Sequence, residues 1–559
     1  MKKIIARLRL SLPLALILLA GCGVSALHIR PQPVAVPNVV GDTQAAAKAA
    51  ITGAGLLLGK VTTQSSTTVP SGSVISENPA AETEVNSGSA VNLVVSSGSG
   101  ATAPLSAANI NLIFVVSSDL ANQAVGDVSP QTASLTSQGL NRSLLMAPYL
   151  QQTVLGSENV TAIYALEPMT HPQTSNNYPD MAGLEAIQQF ALLNHITLTS
   201  DGISLEGNSF PLNASYAPAP VPPPRGVATP LLPCPSCQGL DFNNQDGDNE
   251  TLVNGIISAG VPGFYLFSAP WETTGALIKK INESHSYNLT IPESYAGPDN
   301  IYAISIASGT TSLITFNANL SPPSNYPTLP SPVSVGKACT ATPFNIAVTG
   351  GVDGAVIPAH INTRETLYFI RHAEAHPETD WDDGNYVCAG QWRALDLPIA
   401  LHGKISPKII YSVDPAQAIS GSTSATGDST WSYVRSALTI EPYAIANNLP
   451  YYLAADFEFE AQNPPQLDTR ASDFFFAGGK LSNQSALVAW EHAHIPATVD
   501  ALLATYYPNG GAPTAPAWSD DDYDSIWTVT LDPKGNLTVN NNICEGIVTA
   551  SLPPSCPAF

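Results

Sequence analysis

Arg371-His372-Ala373-Glu374 follows the apolar run Thr366-Leu-Tyr-Phe-Ile370. A neutral imidazole is a competent nucleophile and forms a labile phosphoramidate with phosphorus. A neighbouring guanidinium can fork onto two phosphoryl oxygens, which an ammonium cannot do. A second guanidinium, Arg435, stands in Ser432-Tyr-Val-Arg435-Ser-Ala-Leu-Thr439, and a second imidazole, His492, follows another apolar run in Trp490-Glu491-His492. Two Arg and two His suit phosphoryl transfer, whose transition state spreads charge over three equatorial oxygens. This cage carries its own positive charge, so neither a metal nor a cofactor is expected. A leaving alkoxide also needs a proton. Asp456, Glu458, Glu460 and Asp468 lie between Arg435 and His492, and Glu491 adjoins His492. Asp456, Glu458 and Glu460 alternate with Phe and share one strand face. Glu458 is the expected general acid, its pKa raised by burial. Each residue alone also has a structural reading: a surface Arg-His pair, a helix cation, a satisfied core histidine.

The elements that must position these residues occur twice. Asn111-Leu-Ile-Phe-Val-Val116 and Thr366–Ile370 read as buried strands. A helical segment opening at a Gly follows each: Gly139-Leu-Asn-Arg142 and Gly390-Gln-Trp-Arg393. Second strands close in matching phrases, Ile163-Tyr-Ala-Leu-Glu167-Pro168 and Ile410-Tyr-Ser-Val-Asp414-Pro415. Amphipathic helices (Phe190–Leu193, Tyr443–Ala446) and third strands (Gly263–Phe267, Ala486–Trp490) complete each set. Strand–helix–strand–helix–strand, twice, predicts a duplicated α/β fold with doubly wound, mostly parallel sheets. His372 would then lie at the C-terminal end of a strand, where such sheets form their crevices.

The ordered set Arg371-His372, Gly390-Gln-Trp-Arg, Arg435 and His492 resembles the histidine phosphatase (phosphoglycerate-mutase-like) superfamily over roughly residues 366–508. The resemblance implies a phosphohistidine at His372, oxygens held by Arg371, Arg435 and His492, and a framing role for Glu374. The Ser/Thr/Gly-rich stretch between Asp414-Pro415 and Arg435 departs from the family's spacing. The first copy looks emptied of this chemistry, with Ser117-Ser118 where Arg-His should stand. Asp180-Met-Ala lies near the place of the second Arg, and Ser268-Ala-Pro-Trp271 at that of the second His. Its Pro-rich insert (Pro218 to Pro235) reads as loop. Asp241 to Glu250 reads as solvated turns rather than a calcium loop, because its Gly and final Glu are misplaced.

The first residues set an address. Lys2, Lys3, Arg7 and Arg9 precede an apolar run, Leu10–Ala20, ending Leu19-Ala-Gly-Cys22. This resembles a bacterial lipobox, which implies a signal peptide over 1–21, a lipid on Cys22 and a membrane-anchored, extracytoplasmic protein, at the outer membrane if there is one. Six further cysteines (Cys234, Cys237, Cys339, Cys388, Cys544, Cys556) favour disulfides. Cys234 with Cys237, and Cys544 with Cys556, could close small loops. A zinc site on the CxxC is the weaker alternative. Residues 36–98, opening Val-Pro-Asn-Val-Val-Gly41 and closing Val91-Asn-Leu-Val-Val95, resemble a PASTA repeat, which implies either peptidoglycan binding or a spacer.

Expected domains are therefore 36–98, a degenerate phosphatase-like domain over 108–345 and a catalytic one over 362–550. Charged residues make up only 12% of the 559, and the net charge is −23. Loss of residues 1–21 takes it to −27. Such a field excludes broad nucleic-acid binding, leaving a small phosphorylated substrate as the expected partner. The reading is a lipid-anchored phosphomonoesterase. Its alternative is a non-catalytic envelope or peptidoglycan-binding lipoprotein with a drifted fold.

Overall fold

The computed structural model describes residues 33–559 apart from 65, 67–68, 70–71, 97–103, 123–124, 194–195, 201–202, 208–211, 214–238, 243–247, 332, 376–382, 416–417, 424–426 and 454–463. The signal segment, Cys22, Cys234, Cys237, the Pro-rich insert and Glu458 lie outside these residues. The chain divides into two compact units, 1–99 and 100–559.

In the smaller unit Thr43 caps α1 (Gln44–Gly53), its hydroxyl accepting from the Ala46 amide. The helix buries Ala47 and Ile51 against a three-stranded sheet of β1 (Leu57–Gln64), β2 (Val74–Asn78) and β3 (Ala90–Ser96), with β3 central. In β3 Val91, Leu93 and Val95 alternate inward, as a sheet with one covered face requires.

The larger unit holds two sheets of like order. The first half contributes β4 (Ile110–Val116), α2 (Ser137–Tyr149), β5 (Ala162–Ala165), α3 (Ala182–Glu185), α4 (Gln188–Leu192), β6 (Leu212–Asn213), α5 (Asp248–Ala259), β7 (Gly263–Ala269), α6 (Trp271–His285), β8 (Asn300–Ala307) and β9 (Thr310–Asn317). The second contributes β10 (Asn345–Val348), β11 (Glu365–Arg371), α7 (Cys388–Ala400), β12 (Ile409–Ser412), α8 (Arg435–Asn447), β13 (Tyr451–Leu453), α9 (Pro464–Phe476), β14 (Ser485–Trp490), α10 (His494–Tyr506), β15 (Ser525–Leu531) and β16 (Leu537–Cys544). Sheet orders are β6-β5-β7-β4-β8-β9 and β13-β12-β14-β11-β15-β16-β10. The first six strands correspond one to one, so the duplication extends beyond the five matched phrases. β4 through β7 and β11 through β14 run parallel, and an antiparallel hairpin follows in each half.

All seven residues of β4 are buried, as a continuous apolar run in a sheet covered on both faces should be. One core is shared between the halves: Met146, Leu184 and Phe190 cluster with Ala394, Leu438 and Tyr443. α10 and α9 cover the other face of the second sheet.

Several expectations change. The helix expected around Phe190 is only five residues long, against 13 in α8. Asp248 and Glu250 belong to helix α5, not to solvated turns, and Asn249 ties back to both the amide and the carbonyl of Asp241. Cys544 pairs with Cys339, and Cys556 with Cys388, so the short Cys544–Cys556 loop does not form. Both disulfides instead bridge segments more than 160 residues apart, 205 and 168. No helix among the described residues is long and apolar enough to cross a membrane.

Candidate active site

β11 delivers Arg371 and His372 to the C-terminal edge of its sheet, where Arg371 pairs with Trp490 of β14 and the His372 amide donates to the Trp490 carbonyl at 2.8 Å. His492 follows two residues after β14 and Arg435 opens α8. All four expected cage residues thus converge on one crevice. Arg371, His372 and Arg435 are buried, while His492 keeps some exposure.

The His372 ring is fixed by its own chain. Nδ1 lies 2.8 Å from the Ala373 carbonyl oxygen, which can only accept, so Nδ1 carries the hydrogen and Nε2 is left with a lone pair. The Ala373 amide donates to the Thr439 hydroxyl at 2.8 Å, which donates to the Arg435 carbonyl at 2.7 Å, coupling the nucleophile's loop to α8. Burial, then Arg435 and Arg371, and also His492, push the His372 pKa well below its usual value. The imidazole therefore stays neutral, the form that attacks phosphorus.

The guanidiniums are held by rings as much as by charges. Arg371 lies 4.0 Å over the Tyr523 ring and Arg435 5.0 Å over Tyr433. Edges of the same two tyrosines meet His372 at 6.0 and 6.2 Å. Arg371 Nε is buried without a hydrogen-bond partner among the described residues, a donor available to an oxyanion. Amides of Val434 and Arg435 both donate to Gly384 at 3.0 Å. Gly384 sits at φ +72° against the Ser432 carbonyl, with no room for a side chain. The Ser/Thr/Gly-rich stretch before Arg435 is a β-hairpin, Ala418–Thr423 with Gly427–Ser432, and Arg435 opens α8 after it.

Glu491 does not qualify as the acid. Burial alone would raise its carboxyl, but His492, paired through Nδ1, and His494 bring it down to about 2. It orients His492, whose Nε2 lies 2.9 Å from Asp520 Oδ1. Asp520 and Tyr523 were not foreseen, because they follow the last apolar run of the motif set by about 30 residues and carry no motif of their own. Glu374 frames the loop: it accepts from Arg393 Nε (2.9 Å), Arg393 Nη2 (2.7 Å) and the Thr549 hydroxyl (2.8 Å), while Arg393 also holds Glu545.

The first half has lost the cage, in a register one residue from that expected. Val116 pairs with Ala269 as Arg371 does with Trp490, so Val116-Ser117 replace Arg-His, and Trp271 replaces His492. In the same half Asp119, His171 and Asp180 bring ligand-type atoms within 4.8 Å of one another. There His171 Nδ1 is 2.8 Å from Asp180 Oδ2, and its ring stacks on Phe242.

Comparison with known proteins decides the smaller unit. Residues 34–97 match the family model of the PASTA domain. The PASTA domain of this chain is similar to a three-PASTA-domain structure of a Ser/Thr kinase from Staphylococcus aureus (22% identity, 16% of this chain and 38% of that one, TM-score 0.12). The chain thus spans under half of that kinase structure. Beyond the PASTA domain, the chain is similar to a mycobacterial glucosyl-3-phosphoglycerate phosphatase (13% identity, 33% of this chain, 99% of that one, TM-score 0.20). It is also similar to a phosphoglycerate mutase from Plasmodium falciparum (13% identity, 35% and 99%, TM-score 0.20). No curated protein matches the chain.

Proposed function

We propose that the protein is an extracytoplasmic phosphomonoesterase working through a phosphohistidine at His372. One observation carries the reading: a buried imidazole with Nδ1 committed to a carbonyl and Nε2 without a partner among the described residues, held neutral beside two buried guanidiniums.

In the first step the Nε2 lone pair of His372 forms the N–P bond and the ester P–O bond breaks. Arg371, Arg435 and His492 hold the three phosphoryl oxygens, and the departing alkoxide takes a proton from a general acid, for which Glu458 remains our assignment. Water then gives a proton back to that acid as it attacks phosphorus, the N–P bond breaks, and phosphate leaves with His372 and the acid regenerated. The depressed His372 pKa favours the neutral nucleophile where an ordinary imidazole would be protonated, so the reaction should persist in mildly acidic surroundings. The PASTA match and the Cys22 lipobox support an envelope location with a lipid anchor, and the PASTA domain is the segment suited to contact peptidoglycan.

Release of phosphate from an aryl phosphate, followed from pH 4 to 8, tests the reading. His372→Ala should lose at least about a thousandfold in rate, as removal of a covalent nucleophile does. Equal rates in the two proteins would exclude this chemistry, and no release by either would leave the non-catalytic envelope lipoprotein.

A further inference from the structure

The crevice already holds acceptors on the donors that phosphate would use. Arg371 Nη1 donates to the backbone carbonyl of Asp520. The carboxylate of the same residue lies 2.9 Å from His492 Nε2. Tyr523, three residues on, lies under the Arg371 guanidinium. One loop residue therefore offers two oxygens, one of them charged, to one Arg and one His of the cage. Two phosphoryl oxygens would offer the same. The side chain of Asp520 is 71% exposed while that of His492 is 16% exposed, so a solvated residue reaches inward to make these contacts.

We propose that Asp520 is an internal competitor for the phosphate position. Its carbonyl and carboxylate fill two oxygen places of the cage when no substrate is bound, and the incoming phosphoryl group displaces them. This rests on the phosphatase reading above and adds a selectivity to it. A bare anion gains only the cage contacts and must overcome the competitor. A phosphomonoester whose organic part also touches the protein has further contacts with which to do so. Asp520 is itself mostly solvated, so an ester's added contacts suffice to displace it, and its return after hydrolysis helps phosphate to leave. The substrate class is thus an ester with recognition groups beyond its phosphate, and free phosphate is a poor ligand.

Titration calorimetry with inorganic phosphate at pH 6 tests this on the wild type, Asp520→Asn, Asp521→Asn and Arg435→Ala, with circular dichroism to confirm each fold. His492→Gln stands in if Arg435→Ala does not fold. Asp520→Asn removes the charge and keeps the shape, and should bind phosphate about tenfold tighter than wild type. Asp521→Asn makes the same charge change one residue away and should stay within about twofold. Arg435→Ala should lose binding. Equal or weaker binding by Asp520→Asn overturns the competitor, as does an equal gain in Asp521→Asn, which would reduce the effect to the general field. If Arg435→Ala or His492→Gln binds as well as wild type, phosphate is not in the cage and the phosphatase reading falls with it.

Discussion

At the scale of single residues, His372 owes its neutral state to burial and two neighbouring cations, and its tautomer to one carbonyl. The sequence named Arg371 because Arg-His at the end of an apolar run is a local pattern, and Arg435 through the ordered set that carries the family resemblance. It could not name Asp520, whose role comes from a loop folding back about 150 residues later in the chain. Glu374 was legible as a framing residue, but its partner Glu545 was not. Arg393, completely buried, links the two carboxylates. Burial pushes the Glu545 carboxyl up to about 8 even though Arg393 opposes it. Arg393→Met leaves both carboxyls buried without their cation, and should cost about 3 kcal/mol. A urea midpoint unchanged from wild type would contradict that account.

At the scale of elements, the glycines that open the two matched helical segments have a packing reason. A Cβ on Gly390 would lie 2.7 Å from the Glu374 carbonyl oxygen, and one on Gly139 would strike the Asp127 carbonyl. Each helix therefore packs directly on backbone, and α7 packs on the loop that carries His372. Ala is the better helix former by about 1 kcal/mol, yet forcing backbone apart costs about 1–3 kcal/mol. Gly390→Ala should thus be destabilising and should lower the turnover of an aryl phosphate; a higher melting temperature with full activity would refute the close approach. Strands such as β4, buried throughout, and β11, buried at five of its seven residues, were legible from their apolar runs. β9 and β16 were not. Thr310-Thr-Ser-Leu-Ile-Thr-Phe-Asn317 and Leu537-Thr-Val-Asn-Asn-Asn-Ile-Cys544 bury only part of their residues, so their apolar signal is weak. The disulfide pairing was illegible for a different reason: the partners are 205 and 168 residues apart, and only the tertiary fold brings them together.

At the scale of the whole molecule, acidity lies inside as well as outside. Burial raises Glu185 to about 7, Glu365 to about 8 and Asp396 to about 7. Burial and then Glu185 raise Glu441 well above its usual value, across the junction of α3 and α8. These carboxyls bind protons more tightly folded than unfolded. Their contribution to stability is therefore complete below about pH 4.5 and is lost as pH rises through about 7 to 8. Glu491 acts oppositely: its contribution is present above about pH 4.5 and is lost as pH falls toward 2. The melting temperature should peak between about pH 4.5 and 6 and decline toward pH 8.5. Glu441→Gln, which keeps a hydrogen-bonding head without a titrating proton, should flatten that decline. A melting temperature that climbs steadily to pH 8 would contradict the scheme.

The core common to the two halves has a consequence in mass action. Two folds that complete each other's interior resemble the protomers of an obligate dimer, which separate and unfold on dilution. Here one polypeptide joins them, so partner concentration drops out of the equilibrium. The half without the cage is a permanently recruited subunit, and the half with it keeps its interior covered however sparse the protein becomes.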